Sequence, residues 1–237
     1  MRNWFIFDNE NSKDYGVYIS GMGTYNAPQR DIESVSIPGR NGDLTLDNGR
    51  YENILVRYPA FIVRDFNSNV SAFRNMLLSH TGYFRLEDSY HPDEYRKARY
   101  SGGFNAEVLD THNAGKFEIS FDCCPQRFLK SGEQKYSFSA TGSLLNREQT
   151  IALPLIRAYG TSGSLTINGV SIAISGASSY TDIDCELMEA YKDTLATNKN
   201  STITLTNGKF PYLSPGTNSI SFTGLTSLDV YPRWWRL

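Results

Sequence analysis

Apolar residues along this chain recur mostly at every second position, a spacing that predicts a protein built mainly from strands. Lys116 to Cys123 is the clearest case. Phe117, Ile119, Phe121 and Cys123 share one face and the intervening positions are polar or small, as in an antiparallel strand covered on one side. The stretch NILVRYPAFIVRDF, residues 53–66, can extend through most of its length. Pro59 cannot donate to a ladder, so this segment is expected to be an edge strand or to carry a bulge, and its length suggests a projecting element. One segment breaks the period of two. In NSNVSAFRNMLLSHTG, residues 67–82, Val70, Phe73 and Leu77 form a helical stripe with Met76 beside them. An Asn/Ser region precedes it as a cap, and Gly82 is the expected C′ residue. The following GYFRLEDSYHPDEYRKARYSG reads as a strand, a Pro-containing turn and a second strand.

Residues 130–150, small and polar around Tyr136 and Phe138, form a seam, which predicts two domains, 1–132 and 133–237. Beyond it every signal is β. Leu165 and Ile167 lead into Asn168-Gly169, and Val170, Ile172 and Ile174 follow, the pattern of a two-residue type I′ hairpin. Asn207-Gly208 offers another such turn after Ile203 and Leu205. Ile183, Cys185 and Leu187 make one further strand face, Ile220 and Phe222 another, and Leu228, Val230, Pro232 and Trp234 the last. Short strands separated by Gly, Asn and Pro turns over about a hundred residues describe a β-sandwich.

Composition removes several function classes. With 23 Lys+Arg against 25 Asp+Glu in 237 residues, the net charge of -2 supplies no strong field for nucleic acid or an acidic membrane. Partners are expected to be recognised by local shape. Cys123, Cys124 and Cys185 have no zinc-ligand spacing, and neighbouring cysteines on a strand point to opposite faces, so reduced thiols are expected. The apolar run of the N-terminus is too short for a signal peptide and no stretch approaches a membrane span, which predicts folding in the cytoplasm. The acceptor patterns at Asn69 and Asn200 are read as unglycosylated for the same reason.

Catalytic patterns are weak throughout. His80, His91 and His112 are widely separated and outside any ligand motif, so no metal site is expected. DFNSNVS at 65–71 begins like a calcium loop, but Val70 replaces the required glycine and Met76 the bidentate glutamate. GMGTYN at 21–26 has Asn26 in place of the third glycine of a dinucleotide fingerprint, and GTSGS at 160–164 precedes a strand where a nucleophile elbow needs a helix. Glu87, Asp88, Asp93 and Glu94 could supply a glycosidase carboxylate pair, yet Arg85, Arg96, Lys97 and Arg99 of the same hairpin are expected to pair with them. No catalytic residue, cofactor or metal is therefore assigned. The 15 Tyr, 13 Phe and 3 Trp leave an aromatic surface as the remaining clue. Trp234 and Trp235 should point to opposite sides of a strand, making Trp235 a candidate sugar or partner contact.

The pieces in combination resemble a known family. SIPGRNGDL (36–44), LLSHTGYFRLEDSYHPDEYRKARYSGGF (77–104) and GKFEISFDCCPQRFLKSG (115–132) are similar to the N-terminal domain of the distal tail proteins of long, non-contractile-tailed phages. GSLTINGVSIAI, YTDIDCELMEAY, FPYLSPGTNSISFTG and the final YPRWWRL resemble that family's C-terminal galectin-like sandwich. The resemblance implies a hexameric ring at the distal end of the tail tube, a non-enzymatic hub of the virion tail tip made in the host cytoplasm. It implies tail tube protein on one side, a tail-associated lytic or adhesion protein on the other, and receptor-binding proteins as further partners. A ring repeats one head-to-tail contact until it closes, which suits extended hairpins. Arg40, Asn41 and Arg50, expected on turns beside strands in 36–63, are the candidate interface residues. The rival reading is a carbohydrate-binding module in which the 133–237 sandwich holds host-wall sugar.

Overall fold

The computed structural model describes residues 2–21, 23, 25–109 and 113–237, and it is mainly β with a single α-helix among them. The chain divides into two compact units, residues 1–127 with Leu237, and residues 128–236. No helix among the described residues is long and apolar enough to cross a membrane.

The first unit is a curled antiparallel sheet closed by the helix. Its strands are β1 (Phe5–Phe7), β2 (Glu10–Asn11), β3 (Val17–Ile19), β4 (Arg30–Val35), β5 (Leu44–Tyr51), β6 (Ile54–Ile62), β7 (Phe84–Asp88), β8 (Glu94–Tyr100), β9 (Glu107–Leu109) and β10 (Ala114–Cys123). The main sheet runs β2-β1-β7-β8-β10-β6-β3, with β9 on the far end of β10. Strand β10 keeps the expected alternation, burying Phe117, Ile119, Phe121 and Cys123, and β6 matches it by burying Ile54, Val56, Tyr58, Ala60 and Ile62. The register sets Val56 opposite Phe121 and Tyr58 opposite Ile119, so both strands turn the same face to the core. Aromatic rings fill that core. Phe5 stacks on Tyr58 at 5.7 Å and meets Phe73 and Phe121 edge-on at 6.1 and 5.5 Å. Burial lifts the Cys123 thiol to about 12 and the Tyr58 hydroxyl well above its ordinary value, so both stay protonated.

Pro59 works differently from the expectation. Strand β6 lies between β10 and β3, but β3 covers only Ala60 to Ile62. The carbonyl of Pro59 accepts the Ser20 amide at 2.8 Å where β3 has ended, so the missing N–H faces the stretch that β3 leaves uncovered. The strand is internal over one half and an edge over the other, where the Asn26 side chain donates to the Leu55 carbonyl.

The helix α1 (Phe66–Ser79) buries Phe73, Met76 and Leu77 as expected, with Val70 half-buried, and it starts one residue earlier, burying Phe66 as well. Its ends are capped otherwise than predicted. Asp65, left-handed at φ 52°, precedes it without a side-chain cap, and the helix stops at an extended His80, so Gly82 lies past the C′ position. Gly115 on β10 admits the Phe66 ring: a Cβ there would lie 2.1 Å from it.

The second unit is a sandwich of two antiparallel sheets. One has six strands in the order Tyr136–Phe138, Ser227–Tyr231, Leu155–Tyr159, Tyr180–Asp184, Glu189–Lys192, Thr194–Asn198. The other has five, Gly142–Asn146, Gly216–Thr223, Ser162–Ile167, Val170–Ser175 and Ile203–Leu205. Leu165, Ile167, Ile172, Ile174 and Ile220 from the latter meet Ile156, Ile183, Leu228 and Val230 from the former in one aliphatic core. The Asn168-Gly169 hairpin forms as expected, with φ of 50° and 81°. Asn207-Gly208 turns within a short 3-10 segment instead of joining two paired strands, because Gly216–Thr223 pairs elsewhere. Leu187 leaves its expected strand face: the strand ends at Asp184, and Leu187 is exposed in the turn that follows. The last predicted face holds in burial: strand pairing stops at Tyr231 and Arg233 is left-handed at φ 56°, yet Leu228, Val230, Pro232 and Trp234 are all buried.

Candidate assembly surface

Strands β4 and β5 belong to neither sheet core; they form a two-stranded sheet of their own. Register sets Val35 opposite Leu44, Ser34 opposite Thr45, Glu33 opposite Leu46 and Ile32 opposite Asp47. Because paired side chains share a face, Val35, Leu44 and Leu46 line one side with Glu33, while Ile32 lies on the other with Ser34, Thr45 and Asp47. Every one of these apolar groups is open to solvent: Ile32 is 48% exposed, Val35 38%, Leu44 41% and Leu46 47%.

The base of the hairpin is held by polar side chains. The Arg30 guanidinium donates to Asp47 at 2.6 Å and to the Tyr51 hydroxyl at 2.9 Å, and Arg50 donates to Asp31 at 2.6 Å. Hydrogen bonds from Asn48 and Arg50 hold the Asp31 carboxyl below its usual range, and the Gly49 amide and Arg30 do the same for Asp47. These pairs are exposed and fix geometry more than they add stability. At the tip, Pro38 and Gly39 make a tight turn with Gly39 at φ 80° and the Arg40 amide donating to the Ile37 carbonyl at 3.1 Å.

The structure therefore separates the three predicted interface residues. Arg40 and Asn41 sit in the exposed tip loop. Arg50 lies within β5, where Gly49 at φ 74° marks a bulge, and it is tied back to Asp31. Sequence reasoning missed the apolar positions Val35, Leu44 and Leu46, although SVS and LTLD carry the alternation that would have found them.

The other candidates resolve into structural roles. Asp88 accepts the Tyr58 hydroxyl at 2.7 Å and the Tyr90 and His91 amides. Glu87 pairs with Arg85 at 2.5 Å as expected, but Glu94 faces Arg127 at 3.4 Å and Arg99 takes Asp122 from β10. Arg96 is buried, which lowers its pKa. His80 lies 2.7 Å from the Met76 carbonyl and 3.1 Å from Asp8, His91 packs its ring against Tyr25, and His112 lies outside the described residues, as do Met22 and Thr24 of GMGTYN. Among the described residues no group of three His, Cys, Asp or Glu is arranged to hold a metal. In the sandwich Trp234 is buried, and the half-buried Trp235 donates its indole N–H to the Ile151 carbonyl at 2.8 Å. A cup of about 290 Å³ lies between Leu129, Tyr136, Leu145, Arg147, Glu148 and Trp234.

A family model, the phage tail protein RIFT-related domain, matches residues 10–123. Residues 10–123 therefore resemble a phage tail protein domain. Over almost the whole length of the chain the fold is that of the SPP1 Dit (gp 19.1) protein, whose structure is described as a paradigm of the hub adsorption apparatus in phages infecting Gram-positive hosts. The TM-score is 0.73 at 14% identity, covering 97% of this chain and 98% of that one. Chains of the phage P2 baseplate, solved in its activated conformation with Ca and with Sr, give TM-scores of 0.56 and 0.57 at 10% identity, covering 97% and 100% of this chain and 97% and 98% of those. No curated protein matches the sequence. The domain match and the shared fold agree with the resemblance to distal tail proteins read from the sequence.

Proposed function

We propose that this chain is a distal tail protein and a structural hub of the phage tail tip, assembling as a closed hexameric ring in which the β4–β5 hairpin reaches onto the next copy. The observation that carries this reading is the hairpin's uncovered apolar face. An isolated two-stranded hairpin is marginal in water, so Val35, Leu44 and Leu46 call for cover that the described residues do not supply. Repeating one such contact by rotation closes a ring. In the tail this ring would join tube protein to the tail-associated lytic or adhesion protein and offer the sandwiches to receptor-binding proteins. The role is one of shape, without catalysis.

Light scattering and negative-stain images of concentrated protein test it, because ring closure depends on concentration. The expected result is a closed oligomer that Leu44→Asp with Leu46→Asp abolishes while the subunit remains folded. Monomers of the unaltered chain at every concentration would overturn the reading. Reversing Arg40 and Arg50 singly separates tip from strand: loss of the oligomer keeps the residue reversed as an interface residue, and no change removes it. A sugar-binding role for the sandwich has one observation in its favour, the cup beside Tyr136 with the exposed Arg147 at its rim. A glycan array on the full chain, with Arg147→Ala and Trp235→Ala as controls, decides it.

A further inference from the structure

The chain contains four Asn-Gly pairs, Asn41-Gly42, Asn48-Gly49, Asn168-Gly169 and Asn207-Gly208. Such a pair is chemically labile, because glycine has no side chain to keep its amide nitrogen from the asparagine side chain. Once hydroxide removes its proton, that nitrogen adds to the side-chain carbonyl carbon and ammonia leaves, giving a cyclic imide. Water then opens the imide at either carbonyl, to aspartate or to isoaspartate. One ammonia is exchanged for one water and no oxidant is needed.

The fold treats the four pairs unequally. Asn168 is held on both sides of its amide: the oxygen accepts the Ser219 N–H at 3.0 Å, and the nitrogen donates at 2.6 Å to Asn218. Asn218 is itself fully buried and donates to the Leu144, Ser214 and Gly216 carbonyls. Asn48 donates to Asp31 at 3.1 Å, and the attacking nitrogen of its pair, that of Gly49, is occupied by Asp47 at 2.8 Å. Asn207 is exposed but fixed in a left-handed conformation, φ 59° and ψ 23°, inside the Thr206–Gly208 turn. Asn41 has none of these restraints. It is exposed, and its side chain has no hydrogen-bond partner among the described residues.

We infer that Asn41 is a site of spontaneous deamidation, one that converts the hairpin tip from neutral amide to carboxylate while the other three pairs are retained longer. The new charge arises between Arg40 and Asp43, and the isoaspartate form adds a methylene to the main chain of the tip loop. On the assembly reading above, aged subunits would join rings less well; the chemistry itself is independent of that reading.

The test is peptide mapping by mass spectrometry on the full chain aged in mildly alkaline buffer, at a dilution where light scattering reports single subunits. The same chain unfolded in urea is the reference. Asn41 is expected to convert within about threefold of its unfolded rate, Asn48 and Asn168 to be slowed about tenfold or more, and Asn207 to fall between. Each event adds about one mass unit, and enzymatic methylation distinguishes isoaspartate from aspartate. Asn41→Gln should remove the isoaspartate signal from that peptide with the fold unchanged. Conversion of Asn41 as slow as that of Asn168, or no difference between folded and unfolded rates across the four sites, would overturn the inference. Whether aged protein still assembles is measured separately, so failure of the ring leaves this result standing.

Discussion

Two hairpins of this chain are written in similar alternation. In the sandwich, Leu165, Ile167, Ile172 and Ile174 face inward from strands joined by Asn168-Gly169, and each is buried against the opposing sheet. In the first unit, Val35, Leu44 and Leu46 line one face of β4–β5, and each stays open to solvent. The first hairpin has a second sheet to pack on, and the second has none among the described residues. Alternation therefore reports that a strand has an apolar face, and it is silent on whether the cover comes from the same molecule or from another. Here the uncovered hairpin is the one that the assembly reading uses.

The largest effect should come from truncating the covered hairpin. Leu165→Ala should cost about 2–5 kcal/mol by leaving a cavity in the sandwich, whereas Leu46→Ala should change subunit stability by no more than about 0.5 kcal/mol. Urea denaturation checks both, and equal costs would mean that the chain does cover β4–β5 itself. Next comes the polar support behind each turn. Asn218→Ala strands buried carbonyls and the Asn168 amide and should cost about 1–3 kcal/mol, while Asn48→Ala in the exposed hairpin should cost less than about 0.5 kcal/mol.

Acid should separate the regions by a smaller margin. Burial works against ionisation of Asp184 and Asp229. It is outweighed by the paired bonds from Arg233 to Asp184 at 2.7 Å, with the Leu187 and Glu186 amides, and by Ser137, Lys135 and Tyr159 around Asp229. A carboxyl held low in the fold stabilises it above the unfolded value near 4 and loses that contribution as pH falls through the folded value. The sandwich should thus weaken below about pH 4, and Asp184→Asn should flatten that dependence. Asp31 and Asp47 are held low in the same direction but lie exposed, so Asp31→Asn should leave the pH profile of unfolding unchanged.

Much of the fold was legible because local chemistry and packing agreed. The alternation of 116–123, the stripe of Phe73 and Leu77 and the Asn168-Gly169 turn each reappear as expected. The departures fall where a tertiary partner decided. Leu187 leaves the core because Asp184 accepts the Glu186 and Leu187 amides and turns the chain. Pro59 sits inside a sheet because β3 ends beside it. Arg50, expected on a turn, became a strand residue once Asp31 was placed across from it. The candidate surface was half visible: the Gly-Arg turn at the tip drew attention, and the apolar residues beside it did not.

By itself, then, the sequence determined which residues alternate, where glycine and asparagine let the chain reverse, and that no familiar catalytic pattern is spelled out, since all of these depend on a few neighbouring residues. Which apolar faces meet one another, which carboxylates find an arginine, and which hairpin is left uncovered were decided only by the tertiary structure. Those outcomes depend on contacts between residues far apart in the chain, and no local spacing records them.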